Sequence, residues 1–329
     1  MEFGPVPVAD AIGAILAHSL DAGGARLRKG RVLGPGDVAK LQATGISEVI
    51  VARLGAQDLG EDAAAALIAR ALVPDPDAAH LRLTTAATGR VNIYGVGPGV
   101  LTLDVPAIEA ANRIDPLITL ATLPPFARTR ARGMVATVKI IAYGIDGARA
   151  EQAAGLLHGA MRAHPVTIRT ATLIQTDIGA GPGKGEDAMR RRLDTLGIAM
   201  HSADAVAHAT APLAAAIRAA PGDLVLILTG SATSDPRDVG PEALRAAGGQ
   251  VTRFGIPVDP GNLLFLGHQG GRPVIGLPGC ARAPALNGAD WVLERIACGL
   301  TVGDDDIAAM GVGGLLKESP ARPHPRERR

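Results

Sequence analysis

Aromatic side chains are scarce in this chain: Phe, Tyr and Trp together make up 2% of its 329 residues. Platforms that stack single-stranded bases are therefore excluded. Charge of one sign is missing too, since 33 Lys and Arg offset 32 Asp and Glu for a net charge of +1. No polyanion partner is signalled, no basic run carries interleaved aromatics, and no nucleic-acid role is expected. Cysteine occurs twice, at Cys280 and Cys298. That excludes a disulfide framework and paired metal-ligand spacing, and it points to a reducing, cytoplasmic setting. No apolar stretch reaches membrane-spanning length without charge or Gly/Pro breaks, and the opening MEFGPVPVAD has neither a basic nor an apolar leader region. No membrane association is expected.

What is present is a core-forming apolar content of 47% and a length that suits two or three domains. The chain divides into residues 1–54, 55–165, 166–300 and a tail, 301–329, expected to be partly disordered. In the first block Val8–Leu20 has helical periodicity and ends at Gly23-Gly24. Arg26–Leu33 reads as strand and turn, Asp37–Thr44 as a helix closed by Gly45, and Glu48–Ala52 as a strand. The second block is an α+β module. It has a helix over Glu61–Leu72, a hairpin over Val91–Val105 through Gly97-Pro98-Gly99, and a helix over Pro106–Arg113. Strands over Leu117–Leu123 and Met134–Ala142 flank a basic loop, and a helix over Ala148–Ala163 closes the block. The third block alternates strands and helices on short connections, which implies a doubly wound, mostly parallel α/β sheet. Its strands are expected near 170–176, 224–228, 251–254, 263–266 and 274–275. Its helices are expected over 186–196, 205–220, 241–247 and 285–297.

The most informative stretch is LVLILTGSATSDPRDVGPEA, residues 224–243. A buried strand, Leu224–Leu228, stops at Thr229-Gly230. A small-residue loop follows, and Pro241 opens a helix with Glu242 near its positive end. Strand, glycine loop and helix start together make a cradle for a phosphate or carboxylate. Asp238 at its mouth repels an anion unless a metal intervenes or it accepts ligand N–H groups; both point to a nucleotide-like or pterin-like ligand. Many α/β loops of this composition bind nothing. Two further turns, Val258–Asn262 and Gly276–Cys280, stand beside strands where they can join the first loop, because ligands in such sheets lie beyond the strands' carboxyl ends.

TGSATSDPRDVGPEAL resembles the ligand loop of the MoaB/Mog-type molybdopterin-binding fold, TGGTG followed by R-D-V-T-P-E-A. Thr229, Gly230, Arg237, Asp238, Val239, Pro241, Glu242 and Ala243 coincide without a gap. VDPGNLLFLG and GLPGC resemble the PGKP and GLPGN loops of MoeA-type members, and Ser202-Ala203-Asp204 resembles their acidic turn. Residues 1–54, with KGRVLGPGDVAKLQATGISEVIVARL, resemble the small β/α segment preceding this domain in MoeA-type proteins. Residues 55–165 are an inserted module of unassigned role.

The resemblance implies a cytoplasmic homo-oligomer in molybdenum-cofactor biosynthesis or maturation. Thr229, Gly230, Ser231, Ala232, Thr233 and Ser234 would hold the pterin phosphate. Asp204 and Asp238 would serve the pterin, catalysis or Mg²⁺, with Asp238 the metal candidate. Pro260, Gly261, Gly276, Pro278 and Gly279 would be neighbouring walls. Helix capping is the competing role for both Asp204 and Asp238. Ser231, Asn262 and Cys280 replace the family's Gly, Lys and Asn, changes that a binding fold survives more easily than a catalytic site.

Three readings stay open. One is a carrier of molybdopterin or the finished cofactor, handing it to a nucleotidyltransferase or a molybdoenzyme. Another is an Mg-ATP-dependent molybdopterin adenylyltransferase or molybdate insertion enzyme. The last is a pyridine-nucleotide or ADP-ribose hydrolase on the same fold. Other segments add less. Ile178–Glu186 fails the phosphate-loop pattern, because Gly185 follows Gly183-Lys184; it reads as a flexible glycine loop above the strand end, where Lys184, or Lys139 from the second block, could reach an anion. Arg128, Arg130 and Arg132 form a basic loop that holds a phosphate or is simply solvated. His201, His208 and His268 lack metal-ligand spacing. Cys280 is either an activated thiol at a helix start or a small buried residue.

Overall fold

The computed structural model describes residues 1–179, 181, 185–202 and 205–316. The chain divides into two compact units, residues 1–97 with 101–163, and residues 98–100 with those from His164 onward.

The first unit begins with β1 (Glu2–Pro7), β2 (Ile15–Leu16), the hairpin β3 (Leu20–Ala22) and β4 (Ala25–Leu27), α1 (Pro35–Ala43) and β5 (Glu48–Arg53). β5 lies between β1 and β2, antiparallel to both. The helix expected over Val8–Leu20 does not form. Gly13 takes a positive φ of 78°, and the backbone instead binds across the unit, Leu33 N to Ala14 O and Ala17 N to Ile50 O. Val8, Ala11, Ala14 and Leu16 are buried, so the apolar spacing reflects a shared core and not a helical face.

The unit continues with β6 (Asp58–Gly60), α2 (Glu61–Leu72), β7 (Leu81–Leu83), β8 (Arg90–Gly95), β9 (Gly99–Leu103), α3 (Val105–Ile114) and β10 (Ile118–Thr122). Then come β11 (Arg128–Thr129), β12 (Met134–Ile140), β13 (Gly144–Asp146), α4 (Gly147–Leu156) and β14 (Met161–Pro165). α2 has the bounds its pattern predicts. The hairpin expected over 91–105 is absent, because β12 and β7 already occupy both edges of β8, and β9 pairs instead with β11 and β14. α4 ends early, since Gly159 turns the chain with φ 69° and β14 follows.

The second unit comprises β15 (Thr170–Asp177), α5 (Gly185–Leu196), β16 (Ala199–Ser202), β17 (Val206–Ala207), α6 (Thr210–Ala219) and β18 (Leu224–Leu228). After these come α7 (Val239–Ala246), β19 (Gln250–Phe254), β20 (Phe265–Gln269), β21 (Arg272–Leu277), α8 (Gly288–Ala297) and α9 (Asp304–Ala309). Its mixed sheet runs β16-β15-β18-β21-β20-β19, with β17 also on β15. The pairings among β16, β17, β15, β18 and β21 are parallel; β20 and β19 run antiparallel.

Alternation along β18 sorts the core. Leu224, Leu226 and Leu228 pack with Met189 and Leu193 of α5 and Val292 and Leu293 of α8. Val225 and Ile227 pack with Leu213 and Ile217 of α6 and Ala243 and Leu244 of α7. Side chains two apart share a face of a strand, so each face of the sheet carries helices. α6 starts at Thr210, later than expected, because Val206 and Ala207 are drawn into a ladder with Thr176 and Asp177. Beyond residue 300 the chain returns to the core: Ile307 and Met310 are buried there, and Leu315 bridges Asp259.

Candidate functional site at the strand ends

Gln175, Leu228 and Leu277 stand side by side in the ladders of β15, β18 and β21. The loops leaving these parallel strands therefore emerge together at the carboxyl end of the sheet, where α/β folds place ligands.

The loop after β18 is pinned at both ends and open between. At its start, Gly230 N donates to Thr176 Oγ1 at 2.8 Å. A Cβ at Gly230 would stand 2.7 Å from Thr176 O, so glycine is required for the strands to approach. Thr229 and Thr233 are buried, with their hydroxyls 3.3 Å apart. At its end, Asp238 caps α7: Oδ1 accepts from Val239 N at 2.7 Å and Oδ2 from Ser234 N at 3.1 Å. Asp235 accepts from Arg237 N and Nε, which holds its carboxyl below the usual range, chiefly through the backbone bond. Between these pins Ser231 and Ala232 are exposed. The N–H groups of Ser231, Ala232 and Thr233 meet no protein acceptor among the described residues.

The cradle therefore differs in one respect from the sequence expectation. The start of α7 is closed by its own aspartate, so the donors offered to a ligand are the three loop amides, not the helix end. Asp238 does not face the loop as an uncompensated charge, because two backbone N–H groups engage it. A carboxylate has further lone pairs, which leaves room for a cation. Among the described residues, no group of three or more His, Cys, Asp and Glu gathers to hold a metal ion.

The neighbouring strand ends supply further side chains, Thr176 and Asp177 standing where the family has a TGDE-like segment and Arg282 in no motif. Thr176 is fully buried and bonds His208 Nδ1 at 2.8 Å. Since Thr176 Oγ1 already accepts from Gly230, its own proton is available to the imidazole. Asp177 Oδ1 accepts from Gly179 N and Gly181 N at 2.8 and 2.9 Å, folding the start of the glycine-rich segment back over β15. Arg282, on a 3-10 turn over Gly279–Arg282, donates to Thr229 O at 2.9 Å. Burial lowers its pKa. Arg282 places a cation against the start of the loop after β18. Arg192 fixes this turn from below. It pairs with Asp290 and donates to the carbonyls of Ala281, Ala283 and Ala285. Asp290 in turn accepts from Asn287 N, closing the cap of α8. The partnerships Thr176–His208, Thr176–Gly230, Arg282–Thr229 and Arg192–Asp290 are not visible in sequence, because each joins residues far apart in the chain.

The remaining candidates fall as follows. Pro278 is buried and Gly279 exposed on the third loop. Pro260 and Gly261 are buried against the first turn of α8, where Pro260 O accepts from Gly288 N at 2.8 Å. Gly276 lies inside β21, directly opposite Phe265. Asp204, and Lys184 of the glycine-rich segment, lie outside the described residues. Lys139 belongs to the first unit, 3.6 Å from the Glu61 carboxylate. Cys280 is half-buried, and burial pushes the Cys298 thiol up to about 12.

Comparison with known proteins agrees with this location. The profile of a family described as a probable molybdopterin binding domain matches residues 181–297. A second profile, for a domain of unknown function, matches residues 5–53. No curated protein sequence matches the chain. Among solved structures, a molybdopterin biosynthesis MoeA protein from Pyrococcus horikosii is 12% identical with a TM-score of 0.33, over 91% of this chain and 75% of that one. A molybdenum cofactor biosynthesis protein from Pyrococcus furiosus is 14% identical with a TM-score of 0.24, over 90% of this chain and 61% of that one. Scores this low transfer nothing to the site. The domain matched at 181–297 carries the loops that follow β18 and β21, and it supports a role in molybdenum-cofactor biosynthesis. No helix among the described residues is long and apolar enough to cross a membrane.

Proposed function

We propose that this chain binds molybdopterin, or a later form of the cofactor, at the loop Thr229–Ser234 and serves molybdenum-cofactor biosynthesis as a carrier. The single observation that carries the reading is the run of three undonated amides, Ser231 to Thr233, beside the Arg282 guanidinium. Successive backbone N–H groups with a nearby cation suit a phosphate monoester. The doubly wound arrangement, the division at 54, 165 and 300, a homo-oligomeric state in the cytoplasm and hand-over to a nucleotidyltransferase or a molybdoenzyme belong to the same proposal. They are supported by the resemblance of the motifs. Pro278 and Gly279 form its second wall, and Pro260 and Gly261 support it through α8.

Mg²⁺ fits one oxygen of Asp238 together with water and ligand phosphate, since this ion keeps several waters and binds through few carboxylates. It would neutralise charge between carboxylate and phosphate. Asp238→Asn removes the charge and keeps the Val239 cap, because Asn caps a helix about as well as Asp, but with one acceptor oxygen it gives up the Ser234 N bond. In calorimetric titration with molybdopterin, wild-type protein is expected to bind more tightly with Mg²⁺ than without. The variant should fold normally and lose that increment. Equal Mg²⁺ dependence in both proteins removes Asp238 from the metal role, and a folded wild-type protein that binds no molybdopterin refutes the proposal. Mg²⁺-dependent ATP consumption on loading would replace carrier by enzyme.

A further inference from the structure

Gln175 stands in the row that closes the sheet beneath the three loops. Its ladder neighbour Leu228 and the next, Leu277, are apolar and belong to the core under α5 and α8. Gln175 shares their face, two residues along from Leu173, and is 7% exposed. Its Oε1 has no hydrogen-bond partner among the described residues. Buried side-chain polar atoms are almost always paired, and leaving one unpaired destabilises the fold by more than a typical bond contributes. A core role would be met better by Leu or Met, the kind of residue found at the other two positions of the row.

The surroundings give this orphaned group a direction. α5 begins directly over the row: a Cβ at Gly185 would stand 2.2 Å from Leu228 Cδ2 and 3.4 Å from Arg282 Cγ. The same Arg282 holds Thr229 O. The next residue of β15, Thr176, turns to the other face and anchors Gly230 of the proposed phosphate loop. Gln175 therefore lies within one residue of the loop's anchor and one strand from Leu228, where that loop begins.

Resting on the molybdopterin reading above, we propose that the Gln175 carboxamide is the subsite that reads the pyrimidinone edge of the ligand. That edge offers an N–H beside a C=O, the complement of a carboxamide, which accepts through its oxygen and donates through its nitrogen. A ligand with this edge satisfies the orphaned acceptor on binding. A site built around a buried polar group also discriminates strongly against analogues that leave it unpaired.

The test uses the full chain, Gln175→Met and Gln175→Leu as apolar replacements of similar length, and molybdopterin as the probe. Two quantities are read: the thermal midpoint of unliganded protein and the calorimetric Kd. Removing an unpaired buried group should raise the unliganded midpoint of at least one variant. Losing its ligand bonds should weaken molybdopterin about tenfold. A lowered midpoint in both variants shows that the amide is engaged structurally and overturns the inference. So does an unchanged Kd in folded variants while wild-type protein binds. Absence of binding by wild-type protein is a different result, which removes the functional reading and the subsite with it.

Discussion

Gly276 is the position where a packing account and a ligand-wall account part most cleanly. β21 is held on both sides, with Gly276 in register with Ile227 of β18 and Phe265 of β20. The Phe265 ring lies over the glycine: a Cβ there would stand 1.8 Å from Cε1, 2.0 Å from Cδ1 and 2.4 Å from Cζ. Ordinary contact is near 3.5 Å, so Gly276→Ala requires a ring shift of roughly 1.5 Å. The ring is 1% exposed, and the interior around it is packed to crystal density. Gly240 closes on the same ring, since a Cβ there would meet Cε1 at 2.8 Å. Overpacking of this kind costs about 1–3 kcal/mol and occasionally more. With no direction for the ring to retreat, about 3 kcal/mol is expected, or a fall of about 6–12 °C in the midpoint of a unit this size. Urea unfolding of wild type, Gly276→Ala, Phe265→Leu and the double variant forms a cycle in which the smaller side chain should rescue the alanine by at least 1 kcal/mol. An alanine variant as stable as wild type, or a double variant no better than the sum of its parts, refutes the packing account.

Two further outcomes follow from buried and paired charge. Arg192→Met leaves the Asp290 carboxylate, 5% exposed, without its cation and should cost about 3–5 kcal/mol in chemical denaturation; Arg192→Met with Asp290→Leu should recover part of that loss. Asp223 accepts from Arg169 N, Thr170 N and Thr170 Oγ1, and these bonds, the Arg169 backbone bond foremost, hold its carboxyl below the usual range. A folded-state value below the unfolded one means stability present above about pH 4 and lost as pH falls through the lower folded value. The gap in urea midpoint between wild type and Asp223→Asn should therefore be full at neutral pH and close in acid; a gap independent of pH contradicts the assignment.

Sequence was most legible where one signal sufficed. Leu224–Leu228 is a strand because five apolar residues end at a glycine loop, and α2 spans Glu61–Leu72 because an acidic first turn opens a long run of helix formers. It failed where partners decide. Val8–Leu20 buries its apolar residues against Leu33 and Val51 in a strand-rich core, a spacing that mimics a helix. The 91–105 hairpin lost to two other strands competing for β8. At the site, the TGSATSDPRDV motif singled out the loop that leaves β18 at the carboxyl end of the sheet, and Asp238 stood out in the sequence for its charge. His208, Arg282 and Gln175 carried no motif, and Thr176 only a departure from the TGDE-like segment, because their partnerships come from the register of β15, β18 and β21. Gly276 was ambiguous for the same reason: a glycine in a strand admits either a ligand or a neighbouring side chain, and the register that places Phe265 opposite it is set by β20.

Amide hydrogen exchange of the full chain, measured by mass spectrometry with and without molybdopterin, tests the central claim most directly. The account predicts slowed exchange confined to the loops at 176–181, 229–239 and 278–282, strongest at Ser231, Ala232 and Thr233. Protection absent from 229–239, or concentrated in residues 1–163, would contradict it.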